Sequence, residues 1–369
     1  MRIVLTGGGT GGHIYPAVAI GRQAQEQSPG TELLYIGTTR GLESRIVPKL
    51  GIRFEAVEIT GFKRKLSFDN VKTVIRFLKG VKRAKRLLRE FKPDVVVGTG
   101  GYVCGPVVYA AAKLGIPTLI HEQNVIPGIT NQFLARYTDS VAVSFPDSER
   151  HFAKAKRTFY AGNPCATNVM RAEPGKGIAS LGLKAGSRIV LVFGGSRGAK
   201  AINEAMLDMA PQLHKLPGVH FVFVPGEVYY EDVKQRAEQM QAYQSGQLHV
   251  VSYLHNMPDV LAASQLVVSR AGASTIAEMT ALGVPSILIP SPNVTNNHQE
   301  ANARSLVEAG AAMMVLEREL SGTRLFEAVS ALLSDDRRLT DTGKAALTLG
   351  MPDSAVTIVD ELKRLSKKK

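Results

Sequence analysis

Tryptophan is absent from the 369 residues, and aromatic side chains make up only 6% of them. Proteins that hold single-stranded nucleic acid stack bases on aromatic platforms, so this scarcity argues against such a ligand. Only two cysteines occur, Cys104 and Cys165. Neither has a CxxC or metal-ligand partner, so a reducing compartment and no structural disulfide are expected. The chain has no run of about 18 apolar residues to span a bilayer. Its first residues also lack the apolar core, roughly 7–15 residues, of an export signal.

What is present is bulk and positive charge. A hydrophobic content of 44% over 369 residues is enough for two packed domains of ordinary size. The formal net charge is +13, and between Lys63 and Lys92 twelve Lys or Arg face only Asp69 and Glu90. Such a stripe faces nucleic acid, anionic lipid or water. Within it Val71, Val74, Ile75, Leu78 and Val81 follow helical spacing, with Lys72, Arg76, Lys79, Lys82 and Arg83 interleaved. That pattern suits a helix lying on a membrane surface, and equally one covering a sheet with its charges solvated.

The stretch that promises chemistry is Gly7-Gly8-Gly9-Thr10-Gly11-Gly12-His13. It lies between the apolar strand Ile3-Val4-Leu5 and a helical pattern marked by Ile14, Ala17, Val18 and Ala24. Glycines there let the backbone approach a ligand and aim N–H groups at an anion. Gly7, Gly9 and Gly12 satisfy the dinucleotide fingerprint. The next strand, Leu33-Leu34-Tyr35-Ile36, ends instead in Gly37-Thr38-Thr39, where that fingerprint wants an acid for the ribose hydroxyls. His13 in place of lysine excludes a Walker loop. A tight turn with no ligand is the bland alternative.

The chain then repeats its own moves. Arg2-Ile3-Val4-Leu5 and Arg188-Ile189-Val190-Leu191 each lead into a glycine loop, the second being Gly194-Gly195-Ser196-Arg197-Gly198. Val95-Val96-Val97 runs into Gly98-Thr99-Gly100-Gly101, and Leu266-Val267-Val268 into Ser269-Arg270-Ala271-Gly272. Leu114-Gly115-Ile116-Pro117 and Leu282-Gly283-Val284-Pro285 each open an apolar strand. Short apolar runs alternating with helices describe parallel sheets buried on both faces. The expected fold class is therefore α/β, two doubly wound Rossmann-like domains facing a cleft, with ligands at the carboxyl ends of the strands. The expected boundaries are 1–163 and 164–340, with a helical segment 341–369 packing back on the first domain. The break falls in the Pro- and Gly-rich stretch between Ala161 and Gly186.

The motifs GGGTGGH, GGY with Gly105-Pro106, HEQN, GNP, GGSRGA and RAGASTIAE, in this order, resemble the MurG family of UDP-N-acetylglucosamine transferases along nearly the whole chain. The resemblance implies the GT-B fold and inverting transfer of GlcNAc from UDP-GlcNAc to undecaprenyl-pyrophosphoryl-MurNAc-pentapeptide, in peptidoglycan synthesis at the cytoplasmic face of the plasma membrane. It places the donor in the second domain and the acceptor at the first. The equivalents of Ser196, Ala273, Ser274, Thr275, Ile276, Ala277, Glu278 and Gln299 contact the donor in that family, and Leu254 meets uracil through its backbone. Thr10, Gly11, Gly12 and Asn124 match positions that reach the donor sugar, and Gly9, Gly100, Gly101, Tyr102, His121 and Asn131 are the implied acceptor contacts. Three departures stand out. Ala166 replaces an arginine, for which Arg171 or Arg197 would substitute; His255-Asn256 replaces a commonly acidic pair; Cys104 replaces serine, with no redox role expected.

The residues themselves are compatible with that chemistry. Arg270 to Glu278 reads as a strand exit, a glycine turn and a helix start, where N–H groups and Arg270 meet pyrophosphate and Glu278 reaches ribose hydroxyls. The alternative is that Thr275 and Glu278 form only a capping box. Transfer to a hydroxyl needs a base and a means of stabilising departing UDP. No Asp-x-Asp motif occurs, so neither metal nor other cofactor is expected, and helix starts near Ser196 and Ser274 take that task. His13 is the favoured base because histidine is the residue type that titrates near neutrality; Glu122 and His121 are the alternatives. Two rival classes remain: a UDP-sugar epimerase of similar twin-domain fold, which needs no acceptor, and a basic nucleic-acid-binding protein, whose binding falls steeply with salt. An anionic lipid surface is the expected partner of the basic stretch, and nucleic acid is not.

Overall fold

A computed structural model describes residues 1–59, 68–195 and 197–367. Ser196, Lys63 and the side chains of Val71 and Lys72 lie outside the described residues. The chain divides into two compact units, Met1–Thr167 with Asp353–Lys369, and Asn168–Pro352.

The first unit is built on seven parallel strands: β1 (Arg2–Thr6), β2 (Glu32–Gly37), β3 (Arg53–Ala56), β4 (Val95–Gly98), β5 (Thr118–Glu122), β6 (Ser140–Val143) and β7 (Thr158–Tyr160), in the order β3-β2-β1-β4-β5-β6-β7. Alternate residues of each strand point to opposite faces, and here both faces are apolar. Val4, Val96 and Ile120 join one core, while Ile3, Leu5, Val95, Val97 and Leu119 join the other. The second core is closed by Ile358, Val359, Leu362 and Leu365 of the terminal helix Ser354–Ser366.

The second unit repeats the design with β8 (Arg188–Phe193), β9 (Val219–Val224), β10 (Leu248–Val250), β11 (Leu266–Ser269), β12 (Ser286–Leu288) and β13 (Ala312–Met314), in the order β10-β9-β8-β11-β12-β13. The three internal correspondences of the sequence are the strand pairs β1/β8, β4/β11 and β5/β12, the centre of each sheet. Strand order reverses between β1 and β4 and again between β8 and β11, the switch points where ligands of such sheets bind. Register places Thr6 opposite Gly98 and Phe193 opposite Ser269, so two loops leave each sheet side by side.

The units part after Thr167 rather than after residue 163. Cys165 and Ala166 are buried, and Thr167 Oγ1 accepts the Ala355 N–H at 3.0 Å, which ties this segment to the first unit. The terminal segment is split, not single. Helix Asp336–Leu349 packs on helix Ala273–Leu282 in the second unit, and only Ser354–Ser366 returns to pack on Gly11–Gln27.

The basic stretch forms helix Phe68–Phe91, and its apolar residues serve two faces. Val81, Ala84, Leu87 and Leu88 are buried against the sheet, whereas Val74, Ile75 and Leu78 are 46%, 49% and 61% exposed. Val81 is thus a core residue and not part of an exposed stripe.

Candidate active site

Helix Gly11–Gln27 starts from the first glycine loop, with His13 in its first turn and half-buried. The His13 Nδ1 lies 2.8 Å from the Gly8 carbonyl oxygen. A carbonyl only accepts, so Nδ1 carries the proton and Nε2 presents its lone pair. The ring edge rests on Gly100, where an added Cβ would meet Cδ2 at 2.7 Å and Nε2 at 2.9 Å; φ there is +109°. The two loops at this switch point are laced by Gly8 N–H to Gly100 O at 3.2 Å and by Thr99 Oγ1 to His13 O at 2.6 Å. Gly9 and Thr10 are exposed on the same loop, Gly12 is exposed in the first turn of the helix, and Tyr102 is 60% exposed.

Beneath this loop lies a residue that sequence reasoning misses. Glu43 opens helix Glu43–Lys49 and is fully buried. Its Oε2 accepts Gly9 N–H at 3.1 Å, and its Oε1 accepts Thr38 N–H at 3.0 Å and Thr38 Oγ1–H at 2.6 Å. Burial pushes the neighbouring Tyr35 hydroxyl well above its usual range and the Cys104 thiol up to about 12. Both stay neutral at ordinary pH. Tyr35 donates to Gly7 O at 2.7 Å, and the Cys104 thiol lies 3.0 Å from the Thr6 carbonyl oxygen, so this cysteine is inert packing at a loop root.

The residues of HEQN serve the frame more than the opening. Glu122 accepts four hydrogen bonds, from the backbone and side-chain nitrogens of Asn124 at 3.0 and 3.3 Å, from Gly128 N–H at 3.1 Å and from Asn131 Nδ2 at 2.9 Å. Each of its oxygens thus accepts two hydrogen bonds from the frame, and the side chain is buried. His121 is sealed in the core, and burial brings its pKa down to about 4. Its Nε2 lies 2.9 Å from Gly162 O and its Nδ1 2.9 Å from Gln123 Nε2. His121 therefore stays neutral, and its ring is fully buried rather than exposed at the opening, where an acceptor contact is expected. Asn131 is likewise buried, its amide nitrogen held by His121 O at 3.1 Å as well as by Glu122. Asn124, half-buried at the loop edge, keeps a surface position.

In the second unit a cavity of about 370 Å³ opens at the strand ends, lined among others by Gly198, Lys200, Tyr229, Arg270, Gln299 and Glu317. Arg270 donates to the carbonyls of Ile289 and Pro290 at 3.1 and 3.2 Å and is ion-paired with Glu317. Gln299 Oε1 accepts Ser291 N–H at 2.9 Å, which fixes the amide and leaves its NH₂ as a donor. Helix Ala273–Leu282 starts at Gly272 without a side-chain cap, so Thr275 and Glu278 are interior positions and no capping box forms. Ala273 is buried with Ile276, while Ala277 is half-buried. Ser274 Oγ is buried without a hydrogen-bond partner among the described residues. Glu278 keeps part of its surface, yet loss of solvent around its carboxyl pushes that group up to about 7. Leu254 is buried between exposed Tyr253 and His255, whose rings meet edge to face at 4.9 Å. Ala166 is fully buried, and Lys200, to which no sequence motif drew attention, is a cation lining the cavity.

The glycosyltransferase family 28 N-terminal domain matches residues 3–143, and its C-terminal domain matches residues 189–358. A Bacillus licheniformis protein is 53% identical over 99% of both chains, and one from Bacillus subtilis (strain 168) is 51% identical over 100% of both. Both bear the name UDP-N-acetylglucosamine–N-acetylmuramyl-(pentapeptide) pyrophosphoryl-undecaprenol N-acetylglucosamine transferase. Among solved structures, Acinetobacter baumannii MurG superposes with a TM-score of 0.78 at 28% identity, covering 98% of this chain and 99% of that one. A Neisseria meningitidis UDP-GlcNAc 2-epimerase reaches 0.69 at 14% identity, covering 99% and 100%, a likeness of fold alone. Two glycine-looped parallel sheets, matched along their full length by such relatives, make this chain a member of the MurG family within glycosyltransferase family 28.

Proposed function

We propose that this protein transfers GlcNAc from UDP-GlcNAc to the lipid-linked MurNAc-pentapeptide pyrophosphate of peptidoglycan synthesis, with inversion at the anomeric carbon. The observation that carries the reading is its half-identity, from end to end, with relatives of that one named activity. The donor belongs to the second unit. There the cavity beside Arg270 and Lys200 receives the diphosphate, Glu278 the ribose, the Leu254 backbone the uracil, and Gln299 the sugar. The start of helix Ala273–Leu282, which has no side-chain cap among the described residues, offers its first N–H groups to the departing anion. The acceptor belongs to the first unit, near Gly9, Gly100, Gly101 and Tyr102. His13 Nε2 takes the proton of the acceptor hydroxyl as its oxygen bonds to the sugar C1, and the bond from C1 to the diphosphate oxygen breaks, releasing UDP.

The same unit docks on the anionic cytoplasmic face of the membrane through helix Phe68–Phe91. Among the described residues no helix is long and apolar enough to cross a membrane. Exposed Val74, Ile75 and Leu78 lie on that helix among exposed Arg76, Lys79, Lys82 and Arg83, and the Phe77 ring meets that of half-exposed Phe133 edge to face at 6.2 Å. Apolar anchors ringed by cations fit an anionic bilayer better than nucleic acid.

The deciding experiment offers the lipid-linked acceptor with several UDP-sugars and follows UDP release. Release is expected only with UDP-GlcNAc and acceptor together. Conversion of UDP-GlcNAc without acceptor would establish the epimerase reading instead.

A further inference from the structure

The peptide unit joining Gly8 to Gly9 is held at both ends. Its N–H points to Glu43 Oε2 at 3.1 Å, and its carbonyl oxygen lies 2.8 Å from His13 Nδ1. The peptide is trans, so its N–H and C=O are coplanar and opposed, and fixing one direction fixes the other. Three glycines crowd the carboxylate: a Cβ at Gly8, Gly37 or Gly41 would come within 2.7, 2.6 or 2.2 Å of Glu43 atoms. The loop thus closes on this side chain, and a larger residue at any of those positions would displace it. From these contacts we infer that Glu43 is a positioning residue for His13, acting through the Gly8–Gly9 peptide to hold the proton on Nδ1 and keep Nε2 free to accept one.

The arrangement resembles a carboxylate oriented against an imidazole, with a peptide interposed between them. A carboxylate pulling on the N–H polarises the unit and makes its carbonyl a stronger acceptor, because hydrogen bonds in chain reinforce one another. Glutamine cannot take over. Both carboxylate oxygens accept here, whereas an amide offers one acceptor and would turn NH₂ toward either Gly9 N–H or Thr38 N–H. Glu43 is fully buried, where an N–H left facing an NH₂ is costly, so the peptide is expected to rotate and carry the Gly8 carbonyl away from the ring.

This inference rests on His13 being the base, and the test separates the two. In the full-length protein labelled with ¹⁵N-histidine, two-bond ¹H–¹⁵N spectra should show neutral His13 protonated on Nδ1. Glu43→Gln should shift it toward the Nε2–H form. Turnover (kcat) of Glu43→Gln should fall about 10–100-fold, as for misplacement of a catalytic group, with the KM for UDP-GlcNAc nearly unchanged. His13→Ala should fall about 10²–10⁴-fold, and adding Glu43→Gln to it should cost less than about twofold more, because the two act as one device. A wild-type Nε2–H tautomer overturns the inference without any variant having to fold. Full, independent losses in the double variant overturn it as well. Near-normal turnover of His13→Ala overturns the base assignment instead, with the tautomer spectra still deciding whether Glu43 holds the ring.

Discussion

Arg270 and Glu317 form an ion pair inside the cavity of the second unit, and two main-chain carbonyls hold the same guanidinium. The arginine is therefore positioned even without its acidic partner, while the carboxylate opposes any anion that enters. Glu317→Gln should keep Arg270 in place and remove the opposing charge. We expect UDP to bind about three- to tenfold more tightly, on the order of 1 kcal/mol at an effective dielectric near 20. Calorimetric titration with UDP at low and moderate salt measures this. Weaker binding in the variant would mean that Glu317, not the carbonyls, aims the guanidinium.

Glu278 gives the second unit a pH signature. Burial lifts its carboxyl from 4.5 to about 7, so the folded protein keeps a proton there that the unfolded chain releases. Its contribution favours the fold below about pH 4.5 and is lost as the pH rises through 7. Glu278→Gln, which cannot ionise, should raise the melting temperature at pH 8 and leave it nearly unchanged at pH 4.5. The same variant should bind UDP more weakly at pH 8, where the wild-type carboxylate accepts ribose hydroxyls. Equal UDP affinity in both proteins would remove Glu278 from the nucleotide site.

Much of this was legible in the chain, for reasons that also explain what was not. The central strands β1, β4 and β5 and their counterparts declare themselves because a strand buried on both faces is an unbroken apolar run that ends where its loop begins. The exit loops follow from glycine. Partners far apart in sequence stayed hidden. Glu43 reads as an ordinary acid in the first turn of a helix, and nothing local reveals that it meets Gly9, 34 positions earlier. His121, near the end of β5, and Asn131, on helix Ile129–Leu134, are ligand contacts only by the family resemblance. Here a tight corner needs them to hold Glu122, Gln123 and the Gly162 carbonyl. Helix Phe68–Phe91 shows the limit of periodicity. Leu78 and Val81 stand three positions apart in one apolar pattern, and only burial, which takes in Gly80 and Val81 and leaves out Leu78, tells the core-facing residue from the solvent-facing one.

Gln299 should read the sugar through its amide nitrogen. Ser291 N–H holds Oε1, so the NH₂ faces the cavity as a donor toward a hydroxyl oxygen. Gln299→Ala should lower both the rate with UDP-GlcNAc and its preference over UDP-GalNAc by about tenfold, the scale of one buried hydrogen bond. Gln299→Glu keeps the acceptor for Ser291 but loses the donor, and should lose the same preference. Retained discrimination in both variants would assign the reading of the sugar to another residue.

The terminal helix completes the first unit. Ile358, Val359, Leu362 and Leu365 are buried in its core, and Glu361 joins Ser140 and Arg364 at the same contact. Four aliphatic side chains at about 1.5–3 kcal/mol each amount to a large share of the stability of any domain. A chain ending at Pro352 should therefore lose the first unit to limited proteolysis while its second unit stays protected and binds UDP. Leu362→Ala in the full chain should cost about 2–5 kcal/mol. Protection of residues 1–167 in the shortened chain would contradict this account.

Membrane attachment should divide into an apolar and an ionic part, because helix Phe68–Phe91 exposes both. Val74, Ile75 and Leu78 face solvent, so replacing all three by Ser leaves the sheet-facing core of Val81, Ala84, Leu87 and Leu88 intact. That variant should keep its melting temperature and its turnover of a water-soluble acceptor analogue, yet bind vesicles about 10–100-fold more weakly. The ionic part rests on Lys79, Lys82, Arg83 and Arg86, each contributing about 1 kcal/mol near an anionic leaflet. Arg83 and Arg86 already face Glu55 and Glu90 at 3.3 and 2.7 Å, but these exposed pairs are weak and open readily to a bilayer. Reversing the four to Glu should abolish binding to anionic vesicles and remove its salt dependence. Co-sedimentation across anionic lipid content and salt measures both parts. Equal binding to neutral and anionic vesicles, insensitive to salt, would sink the ionic part, and undiminished binding by the triple Ser variant would sink the apolar one.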